Sequence, residues 1–377
     1  MAWRTVGVRE QRMEFVVAAH RKEKSFQGLC EEFGISRPTG YRWLRRYQNE
    51  GVVGMEEHSR RPHHSPERTP RGIEEQVLEW RRGHPDWGAR KIRVLLQRQG
   101  VQLASSTIHR MLLRQDLVRA AQSHRAAVQR FEREAPNQLW QMDFKGPKGW
   151  NARVGPLSVL DDHSRYAVAL AGTGNTRGES VQAVLEATFQ RCGVPEQMLM
   201  DHGCPWWNEQ GIRGWTRLTV WLMQQDIQLY FSGYNHPQTQ GKVERFHRTL
   251  TAALLRRGTP EEGQRQVWLD GFRQEYNQVR PHEALQMKTP DQVWNQSAKP
   301  YQPKPAEWQY PIEAEVQEID RHGLLRRGGQ RYWISGALAG ERVGLVEVGE
   351  RTLVYYRRTL IRELDLRSQQ STPVEFA

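Results

Sequence analysis

From residue 138 onward the apolar residues stop recurring at a helical period, take up a strand period, and then alternate between the two. This order of textures constrains the fold more than composition does. "QLWQMDFKG" alternates with period two, and "PLSVLDDHSR" and "YAVALAG" are short apolar runs bounded by turn residues. Then come "ESVQAVLEATFQRCG" as helix, "PEQMLMDHG" as a strand ending in a turn, "RGWTRLTVWLMQQD" as helix and "IQLYFSGY" as strand. "HPQTQGKVERFHRTL" opens a further helix. The links between the first three strands are too short for crossovers, which makes those strands antiparallel. Five strands with interleaved helices therefore predict a two-layer α/β domain built on a mixed sheet.

Upstream, residues 10 to 49 hold three helix-sized segments, "EQRMEFVVAAHRKE", "SFQGLCEEFG" and "SRPTGYRWLRRYQNEG". Phe26, Leu29 and Phe33 keep the helical period, Gly34 stops the second segment, and Ser36 stands at the cap of the third, as in a helix-turn-helix unit. With Ile35, Gly40, Leu44 and Tyr47 expected inside, Arg37, Thr39, Arg42 and Arg45 are left outward, where a recognition helix meets the major groove. A three-helix bundle with a solvated basic face is the alternative. "EEHSRRPHHSPERTPR", at 56 to 71, reads as linker, and its His58, His63 and His64 as solvated rather than metal-bound.

A second helical unit follows. Ile73, Val77 and Trp80 form one apolar stripe and Ile92, Leu95 and Leu96 another; Gly100 ends a helix, and Ser105 or Ser106 is expected to cap the next. Arg90, Lys91, His109, Arg110 and Arg114 fall outward. Two linked units would read a longer site than either alone. The charge distribution agrees: of a net +12, residues 1 to 136 contribute +10, with 26 Lys and Arg against 16 Asp and Glu. A basic excess concentrated in one region points to a polyanion partner through counterion release.

Three cysteines, at 30, 192 and 204, form no CxxC pair, which excludes a disulfide framework and a cysteine-rich zinc site and suits a reducing cytoplasm. Arg4, Arg9, Glu10, Arg12 and Glu14 interrupt any signal-peptide core, and no apolar run is long enough to predict a membrane span. After the Pro-rich "SAKPYQPKPAEWQYP", short β-runs separated by GG, AG and GE turns predict a small β-barrel. The expected organisation is multidomain: all-α helix-turn-helix domains at 1–55 and 71–120, and an α/β core at 137–296 with a mixed five-stranded sheet. A β-barrel at 313–369 completes it, with linkers at 56–70, 121–136 and 297–312 and a tail at 370–377.

Asp143 lies in the first strand of the α/β region, Asp201 at the carboxyl end of its fourth, and Glu244 in the first turns of the helix opened by "HPQTQGKVERFHRTL". Ligands gather at the carboxyl ends of strands in open α/β sheets, and hard divalent cations prefer oxygen donors. Two ions held by such carboxylates would serve in-line phosphodiester displacement. Alone, Glu244 would pass as the surface partner of Arg248 at i+4, worth about 0.2–0.5 kcal/mol.

"WQMDF", "VLDDHSRYAVAL", "LMDHG", "YNHPQTQGKVERFHRTL" and "RPHEAL" together resemble the catalytic core of bacterial insertion-sequence DDE transposases of the retroviral-integrase-like superfamily. That resemblance implies a ribonuclease H-like core and carries Asp143, Asp201 and Glu244 over as the catalytic and metal-binding residues. It implies two Mg²⁺ (or Mn²⁺) ions per active site. The implied activity is that of a DNA transposase that binds the terminal inverted repeats of its element and catalyses strand cleavage and strand transfer. No Ser or Tyr nucleophile is required. Its partner is double-stranded DNA, both element ends and target, bound by a homodimer or homotetramer, without membrane or small-molecule substrate. The alternatives are a DNA-binding regulator retaining the fold and a metal-dependent nuclease without strand transfer.

Lys242, Arg245 and Arg248 then suit phosphate positioning. Forty-two residues separate Asp201 from Glu244, longer than the familiar retroviral interval, and only Cys30 precedes the core, so helix-turn-helix units replace a His/Cys zinc module. Asp161 and Asp162, rival ligands, are read as turn residues. His202 and His236 are read as contacting substrate phosphate or holding loops. Trp206, Trp207 and Trp215 are expected to pack rather than to stack on bases.

Overall fold

The computed structural model describes residues 7–22, 24–57, 68–118, 132–150, 152–208, 214–232 and 241–374. His58, His63, His64, His236 and the greater part of the linkers expected at 56–70 and 121–136 lie outside them. Two compact units are present, Met1–Pro70 and Arg71–Ala377.

In the first unit α1 (Val8–Arg21), α2 (Phe26–Glu32) and α3 (Arg37–Glu50) enclose Phe15, Val16, Leu29, Cys30, Trp43 and Met55. Ser25 and Ser36 accept from the backbone N–H of Gly28 and Thr39, capping α2 and α3. Gly34 takes φ +63° in the turn between them, a conformation glycine adopts without steric cost. At Gly40 a Cβ would lie 2.8 Å from Phe15 and 2.9 Å from Cys30, so α3 crosses the others at a distance only glycine permits. Gly40 is buried as expected, but Ile35, Leu44 and Tyr47 are only partly so, and Trp43 is the large residue that α3 contributes to this core. The guanidinium groups of Arg12 and Arg46 lie over its ring at 3.9 and 4.6 Å.

The second unit opens with α4 (Arg71–Gly83), α5 (Ala89–Arg98) and α6 (Ser105–Arg114), packed on Val77, Ile92, Leu96, Ile108, Met111 and Leu112. Gly100 ends α5 at φ +83°. Ala104 occupies the N-cap of α6 and no side chain caps it; Ser105 is already the first helical residue, which corrects the expected cap.

A five-stranded sheet follows, from β1 (Trp140–Phe144), β2 (Leu157–Asp161), β3 (Ala167–Ala171) and, after α7 (Gly178–Cys192), β4 (Gln197–Met200). A short hairpin, β5 (Trp207–Asn208) and β6 (Gly214–Trp215), precedes α8 (Arg217–Gln224), β7 (Gln228–Phe231), α9 (Gly241–Arg257) and α10 (Arg265–Gln274). The strand order is β3-β2-β1-β4-β7. β1, β2 and β3 pair antiparallel, as their short connections predict, and β4 and β7 join in parallel. One face is covered by α7 and α8 through Leu185, Phe189 and Leu222, the other by α9 and α10 through Phe246, Leu250 and Leu269.

The C-terminal region differs from expectation. β8 (Glu315–Glu318), β11 (Arg342–Val348), β12 (Arg351–Tyr356), β13 (Thr359–Asp365) and β14 (Gln370–Pro373) form an antiparallel sheet ordered β14-β13-β12-β11-β8. β9 (Leu324–Arg327) and β10 (Gln330–Trp333) form a separate hairpin. Among the described residues this sheet does not close into a barrel, and residues 370–373, expected as tail, are its edge strand. Its apolar residues Val343, Leu345, Val354 and Ile361 join the cluster that contains Trp206, Trp215 and Leu222 of the α/β region. A sheet whose apolar face is covered by a neighbour has no need to close on itself.

Candidate active site

Asp143 sits near the carboxyl end of β1, opposite Ser158 of β2. β1 and β4 run in parallel with Trp140 beside Met198 and Gln141 beside Leu199. The same offset carried onward sets Asp143 level with Asp201, which follows the last residue of β4. Paired positions on adjacent strands share a face, about 4.7–4.9 Å apart. Glu244 lies in the first turn of α9, exposed. Among the described residues, no ion pair joins Glu244 to Arg248, so the surface pairing is not what occupies this carboxylate.

Burial, the neighbouring Asp201 carboxylate and, more weakly, Glu244 push Asp143 up to about 7 against a backbone hydrogen bond from Phe144 that lowers it. Two further carboxylates therefore act on one half-buried carboxylate. Among the described residues, no three His, Cys, Asp or Glu side chains already form a group that could hold a metal ion. Asp143, Asp201 and Glu244 are brought to one region but not closed into a ligand set. The donor chemistry still fits a hard divalent cation: all three offer carboxylate oxygen, and a cation would relieve the mutual repulsion at Asp143.

The surrounding residues explain how α9 is seated. Asp162, fully buried, accepts from Lys242 Nζ at 2.5 Å, from Gln141 Nε2 at 2.8 Å and from the backbone N–H of Arg133 at 2.8 Å. Gln141 Oε1 in turn accepts from the Val243 N–H at 3.4 Å. The first turn of α9, at the two residues just before Glu244, is thereby tied to β1 and the turn after β2. Lys242, expected to meet phosphate, instead pairs with Asp162; burial and the charge of Arg165 bring its ammonium down to about 8 despite that partner. Asp161 accepts from Ser164 N–H and Oγ and from Asn137 N–H, ordinary turn bonding that removes it from the ligand set.

One turn after Glu244, His247 was not singled out in the sequence. Its Nε2 lies 3.0 Å from Ser158 Oγ and its Nδ1 3.7 Å from Asp143 Oδ2. Burial and the charge of Lys145 bring it down to about 4, so it is a neutral hydrogen-bonding group at neutral pH. The signal was available: Val243, Phe246 and Leu250 recur at helical spacing on the buried face, and His247 shares it. His202 bonds through Nδ1 to the Ser232 carbonyl at 2.9 Å, which supports the loop-holding reading. Trp206, Trp207 and Trp215 are buried, as expected of packing residues.

Arg37, Arg42 and Arg45 are exposed on α3, with Thr39 half-buried. In the second helical group Arg90, His109 and Arg110 are exposed, and exposed Arg114 pairs with Glu74 at 2.9 Å. Lys91 departs from expectation. It is half-buried where α5 meets the α/β core, and burial with the charge of Arg280 brings it down to about 8 against Asp86 and Glu283. Arg245 and Arg248 are exposed beside Glu244.

Residues 133–237 and 225–290 match the integrase core domain family. Together the two matches span the mixed sheet and the helix that bears Glu244. Ahead of them, residues 11–63 match a helix-turn-helix domain and residues 39–112 a homeodomain-like domain. The chain is 26% identical over 215 residues to the insertion element IS407 uncharacterized 31.7 kDa protein of Burkholderia multivorans, covering 55% of this chain and 74% of that one. It is 24% identical to the insertion element IS476 uncharacterized 39.2 kDa protein of Xanthomonas euvesicatoria, covering 71% and 74%. To the transposase for transposon Tn552 of Staphylococcus aureus it is 22% identical, covering 62% of this chain and 53% of that protein, about half its length.

Proposed function

We propose that this chain is a DNA transposase that acts on the ends of an insertion sequence. The observation that carries the reading is the strand register setting Asp143 beside Asp201, with Glu244 close enough to raise the proton affinity of Asp143. Relatives from insertion elements and a transposon support the same reading.

Asp143, Asp201 and Glu244 would hold the divalent ions, Mg²⁺ or Mn²⁺, two per site. When bound, such ions activate an attacking oxygen and stabilise the leaving one during phosphodiester displacement. The chain's own residues do the remaining work. Lys242, Asp162 and Gln141 hold the helix that presents Glu244, and neutral His247 bears on Asp143 without competing for the cation. Arg245 and Arg248 place substrate phosphate beside the carboxylates. In the first step water attacks the phosphodiester at the element end and a 3′-hydroxyl leaves. In the second that hydroxyl attacks a target phosphodiester, forming one bond as one breaks. The helix-turn-helix regions, through Arg37, Thr39, Arg42 and Arg45 and through Arg90, His109, Arg110 and Arg114, recognise the terminal repeats. Two ends handled together call for a dimer or tetramer.

The test is a strand-transfer assay on duplex DNA carrying the repeats that flank the gene, with Mg²⁺ or Mn²⁺. Joined product is expected. Cleavage without joining would make the chain a nuclease, and binding without cleavage a regulator.

A further inference from the structure

We infer that Trp206 is the positioning residue for Asp201 and that the C-terminal sheet holds Trp206 in place; this rests on Asp201 being a metal ligand. The indole N–H of Trp206 donates to Asp201 Oδ1, the oxygen that also accepts from the Gly203 backbone N–H at 3.0 Å. Both contacts fall on Oδ1, and among the described residues no hydrogen bond to Oδ2 accompanies them. The Trp206 ring is 1% exposed and stacks on Phe144, the residue after Asp143, with centroids 5.6 Å apart and planes 18° apart. One side chain thus touches both strand ends that bear the aspartates. A buried indole N–H is a donor only and needs an acceptor, so Trp206 and Asp201 fix each other's rotation.

From Trp206 the contacts run outward to the C-terminal region. Its carbonyl accepts from Thr216 Oγ1 at 3.4 Å, and the next residue, Trp207, pairs with Trp215 across the β5–β6 hairpin. Trp215 Nε1 donates to the Ile361 carbonyl of β13 at 3.4 Å, and Ser335 Oγ donates to the Trp215 carbonyl at 3.2 Å. Trp206, Trp207, Trp215, Leu345 and Ile361 share one apolar cluster. Movement of the C-terminal sheet therefore reaches a carboxylate of the active site through packed groups, and the sheet belongs to the catalytic apparatus. Losing a hydrogen bond that orients a metal ligand lowers metal affinity by about 10–100-fold.

The experiment measures Mn²⁺ binding to the full chain by titration calorimetry, with duplex binding and thermal unfolding followed on the same samples. Trp206→Phe keeps the ring on Phe144 and removes the N–H. The expected result is Mn²⁺ binding weaker by about 10–100-fold, unchanged DNA affinity, and strand joining recovered by added Mn²⁺. Trp215→Phe, at the far end of the contacts, should weaken Mn²⁺ binding by a smaller factor, and it decides the matter if Trp206→Phe does not fold. Wild-type Mn²⁺ affinity in the variant that folds overturns the inference. Asp201→Asn separates the two levels: if it alone loses Mn²⁺, only the role of Trp206 and the sheet falls, whereas if it binds Mn²⁺ like wild type the site reading falls with it.

Discussion

At the scale of the residue, what a charged side chain does is decided by what surrounds it. Lys242 and Arg248 lie on one helix six residues apart and read alike in the sequence, yet Lys242 is held against a fully buried Asp162 while Arg248 is exposed. Lys242→Met should leave Asp162 without its cation and lower stability by about 3–5 kcal/mol, the cost of breaking one side of a buried pair. Urea unfolding reads that loss, and the salt dependence of DNA binding should be unaltered. Arg248→Ala should do the reverse, leaving stability within about 0.5 kcal/mol and lowering the slope of log K against log salt by about one. Asp143→Asn, Asp201→Asn and Glu244→Gln should each reduce strand joining by at least about 10²–10³-fold, the scale of one lost electrostatic stabiliser. Gel-shift affinity should persist in all three, and joining at the wild-type rate in any one removes that residue from the site.

At the scale of the element, α3 packs Gly40 and Trp43 on one face and exposes Arg42 and Arg45 on another. Gly40 approaches Phe15 and Cys30 so closely that Gly40→Ala overpacks the first unit, at a cost of about 1–3 kcal/mol in unfolding free energy. Arg42→Ala and Arg45→Ala, on the exposed face, should leave the unfolding midpoint in place and weaken duplex binding. Loss of stability without loss of binding in these two would place recognition elsewhere. The helical period located α3 and the glycine it buries, but not Trp43, because Arg12 and Arg46 cover a ring whose burial no single segment can announce.

At the scale of the whole second unit, the helices α4 to α6 meet the α/β core across charged groups. Arg280 pairs with Asp86 at 2.6 Å, and Glu275 meets His84 Nε2 at 3.2 Å as well as Arg257. Burial alone would raise Glu275, but hydrogen bonds from His84 and Arg257 and their charge bring it down to about 2. A depressed carboxylate contributes stability above its unfolded value of 4.5 that is lost as pH falls through its folded value. Glu275→Gln should therefore lower stability by about 1–3 kcal/mol at pH 6. Thermal unfolding should show the gap between variant and wild type narrowing as pH falls from about 4.5 towards 2. A gap independent of pH would mean the loss is one of packing.

Local order was legible in the sequence because hydrophobic period and turn residues are local signals. They located the helix-turn-helix segments, the five strands of the mixed sheet with three antiparallel, and the elements bearing Asp143, Asp201 and Glu244. Tertiary structure alone decided the rest. It drew Lys242 and Lys91 inward, left the C-terminal sheet open against the α/β core, brought His247 to Asp143, and joined Trp206 to Asp201. Each of these depends on groups distant in the chain, where burial and electrostatic partners are set by which surfaces meet rather than by the spacing of residues along the sequence.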